Sequence, residues 1–476
     1  MRASGYLLCW ALGWTAILGG ALASAAPKPA VTAVVGATLL DGTGAAPLAN
    51  SVILIENGHF TRVGRAGEVV VPRRAHVLSA QGKYVIPGLM DANVHLFYEI
   101  DAENIIRNQG HYDDLIIEAA QVALRNGVTT VFDTWGPREA LVKARARINS
   151  GKDVGTRIFF GGNIVGFNGP FSDDFSPPTG VSAAFAKEVN DTWEQGVGGD
   201  LLWRTPEAVR LALRDYIARG HVDLIKYAAS GHTQEQFIAF SPQAQRAIVE
   251  EAHKAGLTVQ AHSTSVESLR LEIEAGVDLM QHCSYSGIEP IPQATLNLIV
   301  AKQIPCAAMF ETQKHRAWSK THNFRENYSR EMEVSEINHR ALIAAKAPLL
   351  LTTDCGLRSP NEEDASNLVK DVPEVPVRLQ EAQFLWLQAA HELGMAPMDA
   401  LLAGTRNIAS AYHKLDEIGT IETGKRADLV VLDADPLQDP RNYRAIQMVL
   451  KDGAVVDRDR LPTRHFLTRA TPTDSR

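Results

Sequence analysis

Six side chains at the ends of apolar runs carry the chemistry this sequence offers. Asn93 and His95 close the run VIPGLMDANVHL at residues 85–96. Lys226 lies in VDLIKYAAS, His262 in LTVQAHS, His282 in VDLMQHCS and Asp354 in LLLTTDC. Successive side chains alternate across a strand, so Asn93 and His95 project to one side and can offer a metal two ligands. Alone, Asn-x-His reads more simply as a polar strand terminus, and a lone His as a satisfied core residue. Lys226 and Asp354 resist such readings. A lysine among apolar neighbours is rare unless paired or modified, and a carboxylate buried without a partner is costly. Five strand ends presenting N-x-H, K, H, H and D therefore read together as a divalent-metal site. Imidazole and carboxylate ligands suit zinc, and Fe, Co and Mn are compatible with the same set. Such a metal lowers the pKa of bound water to ~7. Asp354, the expected catalytic group, can take that proton and pass it to a departing amine.

These residues need elements that bring them to one point. Eight apolar runs alternate with helical stretches: VIPGLMDANVHL, GVTTVFDT, TRIFFGGNIV, VDLIKYAAS, LTVQAHS, VDLMQHCS, IPCAAMFE and APLLLTTDC. The helices carry their own start and stop signals. Thr205-Pro206 opens one that closes at Gly220, and Ser241-Pro242 opens another that closes at Gly256. Thr264-x-x-Glu267 is expected to form a capping box for a helix ending at Gly276. Eight strand–helix units predict an α/β fold, a (β/α)8 TIM-type barrel, whose active site lies at the carboxyl ends of the strands. An open doubly wound sheet would not gather strands one, four, five, six and eight.

The barrel is flanked by β segments. Residues 31–85 read as short strands, with a hairpin turn at Asn57-Gly58, and GTIETGKRADLVVLDAD and AIQMVLKDGAVVDR read as strand–turn–strand near the other end. Neither half has apolar surface for a core of its own, so the two are expected to pair into one small β-sandwich. The expected division is a signal peptide at 1–25, β-sandwich at 26–85 and 416–476, and barrel at 86–415.

Residues 161–203 form a long insertion after the third barrel strand, rich in Gly, Pro and aromatic residues, among them Phe167, Phe171, Phe175, Trp193 and Trp203. A loop of this length inside a compact unit is expected to be a lid, with its aromatics as an apolar pocket wall. Tyr98, His232 and Phe167 are the expected substrate contacts. Glu99, Glu311 and His315 are further candidates, and Tyr227 is expected to face away from the barrel axis.

The chain has 476 residues, a net charge of −8 and no basic block, which argues against nucleic acid as a partner. Arg2, the apolar residues 6–22 and the small-residue site Ala23-Ser24-Ala25 predict export and cleavage, hence a periplasmic or secreted protein. That apolar run falls short of the ~20 residues of a spanning helix, so no stable membrane anchor is expected. Of four cysteines, Cys283, Cys306 and Cys355 would remain, an odd and sparse set that argues against a disulfide framework. A homo-oligomer is expected.

The stretch PGLMDANVH resembles the first metal motif of the amidohydrolase superfamily, and GTIETGKRADLVVLDADP is similar to its closing motif. The likeness is to the imidazolonepropionase and prolidase branch. One departure stands out: the family has His-x-His where this sequence has Asn93-x-His95. Phenylurea hydrolases and molinate hydrolase are similar in carrying Asn-x-His. The resemblance implies that Lys226 is carbamylated by carbon dioxide and, with His262 and His282, holds one metal. His95, Asp354 and Asn93 would hold a second, with Lys226 shared, so one or two metals per chain are implied. Asn93 offers a neutral amide oxygen and should bind its metal less tightly. The expected activity is hydrolysis of an amide, urea or carbamate C–N bond by metal-activated hydroxide. The absence of an obvious Arg for a substrate carboxylate points to a neutral, partly aromatic small molecule. A Xaa-Pro dipeptidase, a lactone or phosphotriester hydrolase, and a non-catalytic binding protein on the same scaffold are the alternatives.

Overall fold

The structure, a computed structural model, describes residues 31–98, 102–175, 180–232, 237–322, 327–357, 374 and 378–468. The expected signal peptide and Glu99 lie outside the described residues.

The first run of the sequence serves two sheets. Its strand β5 (Tyr84–Pro87) belongs to an outer β layer, and β6 (Leu89–His95) opens the barrel. Gly88 makes the handover because a Cβ there would stand 2.1 Å from Thr129 Oγ1. The outer layer is an eight-stranded sheet. Its N-terminal strands are β1 (Thr32–Leu39), β2 (Leu48–Glu56), β3 (His59–Arg65), β4 (His76–Ser79) and β5. Its C-terminal strands are β15 (Leu429–Leu432), β16 (Ile446–Lys451) and β17 (Ala454–Val455). The two ends of the chain join where β5 pairs antiparallel with β15, Val85 opposite Val431. Asn57 and Gly58, at φ 50° and 79°, make the β2–β3 turn. Val34, Ile53, Phe60, Val85, Leu429 and Leu450 bury together, a core to which both ends contribute.

Eight parallel positions follow around the barrel: β6, β7 (Val128–Asp133), β8 (Arg157–Phe160), β9 (Leu224–Ala228), β10 (Thr258–His262), β11 (Leu279–Gln281), β12 (Cys306–Ala308), and a last strand in two pieces, β13 (Leu349–Leu351) and β14 (Cys355–Gly356). Ladders join β6 to β8 and β9 to β13, and β14 pairs back onto β6, Cys355 opposite Val94. The remaining seam, between β8 and β9, is bridged by Val165 N–H donating to the Lys226 carbonyl (2.8 Å) and Asp223 N–H to the Phe160 carbonyl (2.9 Å). The ring of strands closes. β7 to β10 are buried along their whole length apart from Phe159, as parallel strands covered by helices must be.

The helix signals hold with one correction. Thr205 and Ser241 cap Pro206–Ala218 and Pro242–Lys254, and Gly220 and Gly256 follow with φ of 77° and 71°. The capping box before Val266–Ala275 is made by Ser265 and Ser268 rather than Thr264 and Glu267. Thr264 is engaged elsewhere, its N–H and hydroxyl both bonded to Ser230. The insertion is not a plain loop either: Ala183–Glu194 is a helix capped by Ser182, and Gly199–Trp203 is a 3-10 turn. Among the described residues no helix is long and apolar enough to cross a membrane.

Candidate active site

The six candidate residues converge at the carboxyl ends of the strands. Asn93 and His95 close β6, Lys226 lies in β9, His262 ends β10, His282 follows β11, and Asp354 stands in the break between β13 and β14. Lys226 is 1 % exposed and His95, the most open of the β6–β11 group, 6 %. Backbone geometry turns two of them inward: His282 and Asp354 have φ of 56° and 54°. For residues other than glycine this conformation costs roughly 1–3 kcal/mol and tends to cluster at functional sites.

Asp354 is the hub. Its Oδ1 accepts from Asn93 Nδ2 at 2.6 Å and from His95 Nε2 at 3.0 Å, and its own N–H donates to the Asn93 carbonyl. Burial pushes the Asp354 carboxyl up, but His282, His95 and Lys226 together outweigh it and hold the carboxyl well below the usual range. An ionised Asp354 fixes the Asn93 amide: nitrogen must face the carboxylate, so oxygen faces away. That oxygen accepts the Thr134 hydroxyl, whose Oγ1 in turn accepts from Lys226 Nζ at 3.1 Å. The same carboxylate places the His95 proton on Nε2 and leaves Nδ1 a bare lone pair, buried without a hydrogen-bond partner among the described residues.

The opposite wall is imidazole. The His262 and His282 rings lie 4.7 Å apart, and His262 Nε2 is likewise buried and unpartnered. Burial lowers the pKa of His95 and His262 and brings His282 to about 3, so the rings stay neutral with lone pairs available. Burial also brings Lys226 down to about 8 despite Asp354 and Asp133, so a fraction of its amine is neutral near physiological pH.

These residues fit a divalent metal. Neutral imidazoles and orphaned ring nitrogens are ligands without a proton to lose. Among the described residues no three His, Cys, Asp or Glu side chains form a metal cage by themselves. A neutral lysine amine can add carbon dioxide and become an anionic two-oxygen ligand. Asn93 fits less well, because its one oxygen is already engaged by Thr134.

Two buried carboxylates brace the rim. Asp91 accepts from Asn93 N–H and from both N–H and hydroxyl of Thr353, tying β6 to the break that carries Asp354. Asp133 accepts from Leu96 N–H at 2.7 Å. Burial pushes Asp91 to about 7 and Asp133 to about 8.

Aromatic rings pack beside these groups. Tyr98 stacks on His95 and Trp135 meets it edge-on, at 5.6 and 5.9 Å. From the insertion, Phe175 stacks on Trp135 at 4.0 Å and Phe167 meets His262 edge-on at 5.3 Å. His232 joins this wall, 5.3 Å from His262 and 4.8 Å from Phe175. Trp193 packs deeper, against Phe97, and Phe171 is buried against Phe185. Trp203 does not contribute: it is 89 % exposed on the outer side of the insertion.

Other candidates fall elsewhere. Glu311 accepts from the Tyr285 hydroxyl and lies 3.9 Å from His339, in a buried cluster behind the rim, and burial pushes it to about 7. His315 is buried on helix Gln313–Ser319. Tyr227 points outward to Gln245 at 3.0 Å, as alternation requires. The three described cysteines are free and buried. Residue type alone does not mark Thr134 and Trp135, although they end an apolar run just as His262 does.

A closed barrel with polar side chains from five strands converging at its carboxyl face has the architecture of barrel enzymes. The chain matches the amidohydrolase family over residues 84–457, well over half its length. It belongs to that family, whose members generally bind divalent metals, and it is a hydrolase. Ochratoxinase of Aspergillus niger is 26 % identical over 453 residues, covering 89 % of this chain and 86 % of that protein. Imidazolonepropionase of Geobacillus kaustophilus (strain HTA426) is 24 % identical, covering 88 % and 96 %. The solved structure of molinate hydrolase is similar with a TM-score of 0.88 and 37 % identity, covering 93 % of this chain and 98 % of that one. Phenylurea hydrolase B gives 0.87 and 37 %, covering 93 % and 100 %.

Proposed function

We propose that this protein is an exported amidohydrolase that cleaves an amide, urea or carbamate C–N bond in a neutral, partly aromatic small molecule. The observation that carries the reading is Asp354: an ionised carboxylate held by Asn93 and His95, facing two neutral imidazoles and Lys226 beneath an aromatic wall. Likeness to molinate hydrolase and phenylurea hydrolase B at 37 % identity supports this bond class.

A divalent ion held by His262, His282 and carbamylated Lys226, with His95 and Asp354 alongside, would supply Lewis acidity and make water a nucleophile at neutral pH. Asp354 Oδ2, free of the Asn93 and His95 hydrogen bonds that occupy Oδ1, takes the proton from the attacking water and returns it to the nitrogen of the departing amine. His95 and Asn93 keep the carboxylate aimed. Thr134 keeps Asn93 and Lys226 in register. Tyr98, Trp135, Phe167 and Phe175 bind the apolar part of the substrate and exclude water from the rim.

Assay of the metal-loaded mature protein on arylureas, anilides and a dipeptide panel tests the reading. Release of aromatic amine without dipeptide cleavage is the expected result, and cleavage of Xaa-Pro dipeptides alone would contradict it. Export is tested by N-terminal sequencing of the protein recovered outside the cytoplasm, where a start near Ala26 is expected.

A further inference from the structure

His232 stands at the rim as a group of defined hydrogen-bonding sense. It follows β9 in the loop after Lys226, partly buried, with rings of Phe167, Phe175 and His262 within 5.7 Å. Its Nδ1 bonds the backbone carbonyl of Asp174, in the insertion. A carbonyl only accepts, so Nδ1 carries the proton, and in the neutral imidazole Nε2 is then the bare nitrogen. Nε2 makes no hydrogen bond among the described residues, while Asp354 and Lys226 both act on the ring electrostatically from within the site.

The tautomer is set by a well-braced carbonyl. The Asp174 carboxylate accepts from Asn168 N–H at 2.9 Å and from Asn168 Nδ2 at 3.1 Å. Asn168 Oδ1 in turn accepts from Gly199 N–H at 3.1 Å. The insertion thus holds the Nδ1 edge of His232 and leaves Nε2 as the edge open to a partner.

Resting on the amidohydrolase reading above, we infer that His232 Nε2 accepts a hydrogen bond from an N–H of the substrate, and that the enzyme selects secondary amides, anilides or ureas over their N-alkylated counterparts. A donor-free nitrogen at that position would leave Nε2 desolvated and unpaired. Sites built to pair a polar group discriminate strongly against ligands that lack it.

The test compares 4-nitroacetanilide with its N-methyl derivative in the metal-loaded wild type, in His232→Phe and in Asp174→Ala. Phenylalanine keeps the ring packing against Phe167 and Phe175, and referring each substrate to both enzymes removes the intrinsic reactivity difference. The wild type should prefer the N–H substrate by about tenfold or more in kcat/KM beyond the ratio seen in His232→Phe. Asp174→Ala, which unbraces the carbonyl, should fall between them even if His232→Phe folds poorly. Metal content of both variants should match the wild type. An unchanged preference in either well-folded variant, or loss of metal from His232→Phe, overturns the inference alone. Turnover of neither compound by the wild type overturns the proposed substrate class and this inference with it.

Discussion

Asn93 Nδ2 donates to Asp354 Oδ1 across 2.6 Å, joining the first and last strands of the barrel at the point where the chemistry is expected. The residue that departs from the family motif therefore acts on the carboxylate directly, through an amide whose oxygen is held by Thr134. Asn93→Ala should lower kcat/KM by about 10- to 100-fold, the value of a hydrogen bond to a charged group. Thr134→Val should cause a similar loss, and the double variant should be little worse than either single one. Metal content measured by elemental mass spectrometry should stay at the wild-type level in Asn93→Ala, because its oxygen is already engaged. A drop in bound metal would show that Asn93 is a ligand.

Phe175 reaches the site from the insertion and stacks on Trp135 at 4.0 Å. Phe175→Ala should raise KM for an aryl substrate by about tenfold and change kcat by less than about threefold, because the ring contributes binding shared by ground and transition states. Steady-state kinetics on an arylurea checks the split. Equal loss in kcat would place Phe175 in the transition state's contacts.

Glu311 ties stability to pH. Its carboxyl is raised by burial from 4.5 to about 7, with Tyr285 and Arg316 opposing. Between these values the folded chain holds a proton that the unfolded chain has released. The contribution to stability is thus full below about 4.5 and is lost as pH rises through about 7. Such a shift corresponds to up to about 3 kcal/mol. Glu311→Gln should show a flatter Tm profile than the wild type between pH 5 and 7. Parallel profiles would mean that Glu311 is not protonated in the fold.

Gly88 has no room for a side chain. A Cβ would meet Thr129 Oγ1, Cγ2 and Cβ at 2.1, 2.5 and 2.8 Å, where β5 hands over to β6. Gly88→Ala should destabilise the protein by about 2–3 kcal/mol by overpacking, and Thr129→Ala should recover part of that loss. Denaturant unfolding of the single and double variants checks this.

Much of this was legible in the sequence for a physical reason. A polar residue ending an apolar run marks a strand leaving the core, so Asn93, His95, Lys226, His262, His282 and Asp354 announced themselves by position as well as type. The eight barrel strands followed from the same runs, and the hairpin at Asn57-Gly58 from its turn chemistry. Thr134 and Trp135 did not stand out, because neither is a metal-ligand type and their importance lies in what other strands place beside them. The pattern points to Thr264 because Glu267 lies three residues on, whereas Ser268 closes the box on Ser265 and Thr264 is taken up by Ser230. The helix in the insertion was masked by surrounding Gly and Pro, although Ser182 before Ala183–Glu194 is an ordinary N-cap. Trp203 belonged by composition to an apolar wall, and its orientation is set by the turn that carries it.

The most direct measurement is the rate of aromatic amine release from an arylurea or anilide by metal-loaded wild type and Asp354→Asn. Asparagine keeps the size of the side chain and can still accept from His95, but it cannot take a proton from water. The wild type should turn the substrate over, and Asp354→Asn should be slower by about a thousandfold with an unchanged circular dichroism spectrum and Tm. Equal turnover by a well-folded Asp354→Asn would contradict the account.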